Sequence, residues 1–322
     1  VNALRELSAD QRVALLFVAL FGVLLTATAA IAVAAVRERT PPQLLRHERV
    51  KRELWVVWAS ASLFWLAWIA GAAGATLLFG LLSFFVLREF VTLMHTRRSD
   101  HRSLILAFFV VLPLQYLIVG LRSFQLFALF IPVYVFLALP VVSALSGDPT
   151  RFLERNAKLQ WGLMVTVYGL SHAPALLLLD VPGDAGAGAF LLFMLVVAVV
   201  TAQLSQEVAA RRLRRRPLAR RISRSFSLRG WAIGALAGGL VGAALAWTTP
   251  FDVVRGFAMA FIAAGSGGLG GFVMKALKRD AGVVPGDNAT AITGAVGLLD
   301  RLAPLCFAAP VFMHSAYWYF RG

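Results

Sequence analysis

Lys278, Arg279 and Asp280 stand together, and Asp300 with Arg301 follows about twenty residues later, at the edges of a chain that is otherwise almost all apolar. Cations of this kind hold phosphate oxygens and carboxylates hold a hard metal ion, so the two clusters supply the pieces that a triphosphate needs. A plainer reading stays open beside this one. Asp300 pairs with Arg301 or a neighbouring cation, and Asp280 with Lys278 or Arg279, as ion pairs at a membrane interface.

The elements that must position these groups are membrane helices. Of 322 residues, 59% are hydrophobic and 15% charged, with mean hydropathy +0.76, against about 25% charged in soluble domains. Crossing a bilayer core takes roughly 20 apolar residues. Ten such runs are expected: 13–36, 54–72, 74–92, 104–121, 124–145, 159–179, 187–205, 231–248, 252–274 and 302–320. Only Gly71-Ala72-Ala73-Gly74 separates the second and third, and the seventh is short, so nine is the alternative. The expected fold is all-α, a single polytopic helical bundle over 1–322, interrupted by loops over 206–230 and 275–300. The first run, long and followed by further spans, reads as a retained helix rather than a cleaved signal.

Cation placement favours ten spans. Arg37, Arg39, Arg46, Arg49, Lys51 and Arg52 follow the first span, Arg97, Arg98 and Arg102 the third, and Arg151, Arg155 and Lys158 the fifth. Nine arginines lie between Arg211 and Arg229, whereas the alternate loops hold Arg122 or no cation at all. Every second loop is basic, which puts those loops in the cytoplasm and both termini outside. Most of the net charge of +15 is thereby a topology signal rather than a nucleic-acid footprint, although a basic face also attracts anionic headgroups and nucleotides.

Several chemistries drop out. No phosphate-loop signature, Gly-x-Ser-x-Gly elbow or His-Glu-x-x-His helix occurs. Gly265-Ser266-Gly267-Gly268-Leu269-Gly270 has dinucleotide-fingerprint spacing, but it lies inside an apolar span with no strand before it. Small residues there read as a close-packing face between helices. The single Cys306 excludes a disulfide framework and reads as a packing residue. His172, about 20 Å into its span, and His314 read as outer-half packing or interfacial residues, remote from the charged cluster.

Lys278-Arg279-Asp280-Ala281-Gly282-Val283, then Gly297-Leu298-Leu299-Asp300-Arg301-Leu302, then Cys306-Phe307-Ala308-Ala309-Pro310-Val311-Phe312 resemble the C-terminal signature of the phosphatidate cytidylyltransferase (CDP-diglyceride synthetase) family. Leu87-Arg88-Glu89-Phe90, Arg97-Arg98-Ser99-Asp100-His101-Arg102, Leu112-Pro113-Leu114-Gln115-Tyr116, Phe152-Leu153-Glu154-Arg155, Gln160-Trp161-Gly162 and Leu170-Ser171-His172-Ala173-Pro174-Ala175 are similar to one bacterial branch of it. The resemblance covers most of 85–320 and leaves the helices of 13–80 outside.

It implies an enzyme of the bacterial inner membrane that joins CTP and phosphatidate with Mg2+, giving CDP-diacylglycerol and pyrophosphate. Asp280 and Asp300 would hold the metal, Lys278, Arg279 and Arg301 the phosphate oxygens, and Lys275 and Arg229 the substrate; a homodimer is compatible with this. The chain also departs from the signature. Ala303 and Pro304 stand where a second Asp follows the Asp-Arg pair, and Gly294-Ala295-Val296-Gly297 replaces a His-Gly-Gly turn. Val284-Pro285 replaces Lys-Asp, with Asp287 as a shifted stand-in, and Lys275 replaces Ser. Gln206 replaces an Asp beside Glu207, and the segment Ser225 to Trp231 is blurred. Each missing acid removes a hard oxygen ligand. Two classes therefore remain, a membrane nucleotidyltransferase and a catalytically silent relative that binds anionic lipid or a membrane partner through its basic face.

Overall fold

Long apolar runs with alanine and leucine and few charges close their backbone hydrogen bonds internally as helices, the form a single segment can take across lipid. The computed structural model describes residues 8–37, 71–179, 181, 186–213, 218–223, 226–282 and 297–321, and part of 51–70. Among them lie nine helices and no strand: α1 (Ala9–Arg37), α2 (Gly71–Thr92), α3 (Arg98–Gly120), α4 (Phe124–Ala144), α5 (152–177), α6 (Ala187–Leu213), α7 (Leu228–Leu245), α8 (Val253–Asp280) and α9 (Leu298–Arg321). The chain divides into two compact units, 1–74 and 75–322.

In the first unit α1 opens on a capping box: Gln11 N–H donates to Ser8 Oγ at 3.3 Å and Ser8 N–H to Gln11 Oε1 at 3.0 Å. Exposed Val18, Val23, Leu25 and Val33 give α1 an apolar surface suited to lipid.

In the second unit α6 packs on α7, α7 on α8 and α8 on α9, while α5 packs against both α6 and α9. The small-residue run in α8 does what its composition requires. A Cβ at Gly270 would meet the Phe307 ring at 2.4 Å, and one at Gly267 would meet the Pro304 carbonyl of α9 at 3.0 Å. Glycines of α7 admit α8 just as closely: a Cβ at Gly242 would lie 2.2 Å from that of Ala260. Such approach drives helix association where lipid offers no hydrophobic gain.

Among the described residues, seven helices are long and apolar enough to span a membrane: α1, α2, α3, α4, α6, α7 and α8. α5 and α9 occupy expected span positions but fall below that apolarity, because they carry Gln160, His172, Asp300, Arg301 and His314. Both bury much of their surface in protein, with Leu163, Val167, Leu170, Ala173, Leu176, Ala308 and Ala309 fully enclosed, so lipid does not set their composition. The expected span 54–72 lies largely outside the described residues. Helix replaces the expected loop at both basic borders: α6 continues to Leu213 and α8 to Asp280, where Arg211, Arg212, Lys278 and Arg279 complement the helix C-termini.

Candidate functional site

α8 ends and α9 begins at the same place, and the first contact between them there is ionic. Lys278 Nζ donates to Asp300 Oδ2 at 2.5 Å, with the lysine side chain 13% exposed and the carboxylate 37%. Asp300 lies in the first turn of α9, where a carboxylate also meets the positive end of the helix dipole. A second carboxylate stands behind it. Glu89 of α2, buried, accepts the Leu299 N–H on Oε2 at 3.1 Å and so caps α9 from 210 residues away. Sequence reading gave Glu89 no role, although an acid inside an apolar span was itself the available signal.

The other expected residues surround this pair at the basic helix ends. Lys275 is exposed one turn before Lys278, Asp280 is exposed at the last position of α8, and Arg301 is exposed in the first turn of α9. Arg279 is half-buried, its Nε enclosed with no hydrogen-bond partner among the described residues. Arg229 is exposed in the first turn of α7, two residues before Trp231, whose Nε1 donates to the Gly265 carbonyl of α8 at 2.8 Å. Gln206 of α6 approaches the same seam, where a Cβ on Gly268 would lie 3.2 Å from its Oε1. Ala303, at the position of the missing acid, is fully buried in the packing of α9. Val284, Pro285, Asp287, Gly294 to Val296 and Ser225 lie outside the described residues.

No three His, Cys, Asp or Glu side chains converge on one point among the described residues. The structure thus brings Asp300 to Lys278 rather than assembling an acidic cage. Such a donor set suits Mg2+ carried on a nucleotide, which takes one or two carboxylates together with substrate phosphates. Of the acids at this border, Asp300, partly open to solvent beside a lysine, would be the one to hold such an ion.

Two further sequence segments, Arg97 to Arg102 and Phe152 to Arg155, meet in a second polar cluster. Arg155, 8% exposed, lies 3.2 Å from Asp100 Oδ1 and donates to Asp148 Oδ2 at 2.7 Å and Ser99 Oγ at 2.8 Å. The guanidinium thereby ties the start of α3 to the α4–α5 loop and the first turns of α5. A small pocket beside it is lined by His95, Asp100, Ser103, Asn156 and Lys158.

Comparison with known proteins bears on both clusters. The model of the cytidylyltransferase family matches residues 50–319, which begins well upstream of the signature segments. The chain is also 35% identical over 251 residues to the uncharacterized protein YnbB of Escherichia coli (strain K12), covering 76% of this chain and 80% of that protein.

Proposed function

The chain belongs to the cytidylyltransferase family, and we propose that it transfers the cytidylyl group of CTP to phosphatidate in phospholipid synthesis, releasing pyrophosphate. The observation that carries this reading is the contact of Lys278 with Asp300 at the start of α9, a helix whose first turn Glu89 caps through the Leu299 N–H, at a border rich in cations.

In this reaction a phosphatidate oxygen attacks the α-phosphorus of CTP and the bond to the β-phosphate breaks. Two anions must meet and a third must leave, so fixed positive charge is the main requirement. Lys278, held by Asp300, presents an ammonium group without a search among rotamers, and Arg279, next to it at the end of α8, and Arg301, in the first turn of α9, would take phosphate oxygens. Asp300 would hold Mg2+ brought by the nucleotide, whose charge neutralises the leaving pyrophosphate. Lys275 and Arg229 would hold the outer substrate phosphates. The apolar flanks of α8 and α9 keep the acyl chains of the lipid in the bilayer while its phosphate reaches the basic border. The reading places that border on the cytoplasmic side of a bacterial inner membrane, where CTP is found.

The test is pyrophosphate release from CTP by the purified protein in detergent with phosphatidate and Mg2+. Asp300→Ala is expected to lower the rate by about 10²–10³-fold or more. Ala303 favours a second reading, a silent relative, since its burial leaves no second carboxylate in α9. That alternative requires folded protein with no release above the variant, and salt-screened binding to anionic lipid that is indifferent to Asp300→Ala.

A further inference from the structure

The N-cap position of α9 is Gly297, which turns at φ 71° and has no side chain. A Ser, Thr, Asp or Asn at that position would accept from the second or third N–H of the helix, and glycine cannot. The second N–H is that of Leu299, and the oxygen it meets is Oε2 of Glu89 at 3.1 Å, supplied by α2. The missing cap is thus provided from another helix. Glu89 is itself firmly placed. Phe90, the next residue, is buried with its ring so close to α5 that a Cβ on Gly162 would lie 2.5 Å from it. Thr92 Oγ1 donates to the Glu89 carbonyl at 2.6 Å and so closes the last turn of α2.

The residue after Leu299 is Asp300, so the turn that Glu89 holds is the turn that presents a carboxylate to Lys278 Nζ. Asp300 is only the third residue of α9. Each helical residue steps about 1.5 Å along the axis and about 100° around it, so unwinding the first turn would carry Asp300 out of the helix and away from Lys278. We propose that Glu89 is the positioning residue of this site: from α2 it sets where α9 begins and so keeps Asp300 against Lys278. The inference rests on the reading of Lys278 and Asp300 as the pair that meets the nucleotide. Glu89 takes no part in the chemistry itself, because the oxygen it offers is committed to a backbone N–H. It acts through Asp300, as the outer partner of a metal-holding carboxylate does.

The experiment compares the full native chain in detergent with Glu89→Ala and Glu89→Gln by two readouts. The first is pyrophosphate release from CTP with phosphatidate over a range of Mg2+ concentrations. Glu89→Ala is expected to lower the rate per folded protein about 10–100-fold and to raise the Mg2+ concentration for half-maximal rate, whereas Glu89→Gln, which still offers an oxygen to Leu299, recovers to within about 3-fold of native. A glutamine variant that fails as badly as alanine, or an alanine variant with the native Mg2+ requirement, overturns the proposal. The second readout needs no turnover. Amide hydrogen exchange across 298–302 is expected to be about 10-fold faster in Glu89→Ala and native in Glu89→Gln, with α6 and α7 unchanged in both. Native exchange in Glu89→Ala overturns the proposal. Exchange that follows expectation in a native protein that releases no pyrophosphate removes the proposed reaction alone, and leaves Glu89 as the residue that sets the start of α9.

Discussion

Asp148 accepts hydrogen bonds from the Thr150 backbone N–H, from Ser99 and from Arg155, and these hold its carboxyl well below the usual carboxylate range. A carboxylate with a lowered value in the folded state stabilises that state above its unfolded value of about 3.9, and the contribution is lost as pH falls through the folded value. The melting temperature of the native protein in detergent is therefore expected to level off above about pH 5 and to drop below about pH 4, with a shallower drop in Asp148→Asn. An equal slope in the two proteins would remove Asp148 from the account. Glu89 makes a different kind of contribution, through geometry. A glutamine oxygen still accepts the Leu299 N–H, whereas alanine leaves the first turn of α9 without its cap. Glu89→Ala is expected to cost about 1–2 kcal/mol in detergent unfolding and Glu89→Gln less than about 0.5 kcal/mol. Equal losses would mean that charge, not the hydrogen bond, is what Glu89 supplies.

Prolines shape the elements, and for Pro140 the missing N–H has a replacement donor. Pro140 cannot donate to the carbonyl four residues earlier, and that carbonyl, Phe136 O, accepts instead from Gln160 Nε2 of α5 at 2.7 Å. Pro310 likewise frees the Cys306 carbonyl, against which Gly169 packs so closely that a Cβ would lie 2.5 Å from it. That approach is what brings the histidine-bearing parts of α5 and α9 together. A double-mutant cycle tests the first pair. Gln160→Ala alone is expected to destabilise by about 1 kcal/mol, and by much less in a Pro140→Ala background, where residue 140 donates to Phe136 itself. A coupling of zero would show that water or lipid satisfies the carbonyl without Gln160. The sequence made most of these elements readable, since apolar length alone located α1 to α4 and α6 to α8. It also located α5 and α9, but their weaker hydropathy has its cause in neighbours that no single segment reveals. Widened π turns lie at Ala107–Val111, Phe130–Val135 and Met164–Gly169, the last with its Thr166 carbonyl accepting from Ser83 Oγ of α2 at 2.6 Å, and apolar periodicity carries no trace of them.

Within the unit of 75–322, the described helices alternate so that Arg97, Arg155, Arg212, Arg229, Lys278 and Arg301 all fall at junctions of one parity, while the opposite junctions carry Arg122 and Arg255 alone among these cations. The charge pattern made that asymmetry legible in the sequence alone. The pairing inside the site was not legible in the same way. Lys278 and Asp300 were both named from their signature segments, but whether they bind two ligands or each other depends on where α9 begins, and Glu89 fixes that start from α2. Orientation across the bilayer is the property on which the proposed reaction depends most directly, and the chain is well suited to measuring it because Cys306 is its one cysteine and is buried. In a Cys306→Ala background, Arg212→Cys and Asp252→Cys place a single exposed thiol at the end of α6 or before α8. A membrane-impermeant maleimide applied to intact spheroplasts is expected to label residue 252 at once and residue 212 only after the membrane is opened. The reverse pattern would put Lys278, Asp300 and the whole basic border on the side that holds no CTP, and the proposed reaction would fail with it.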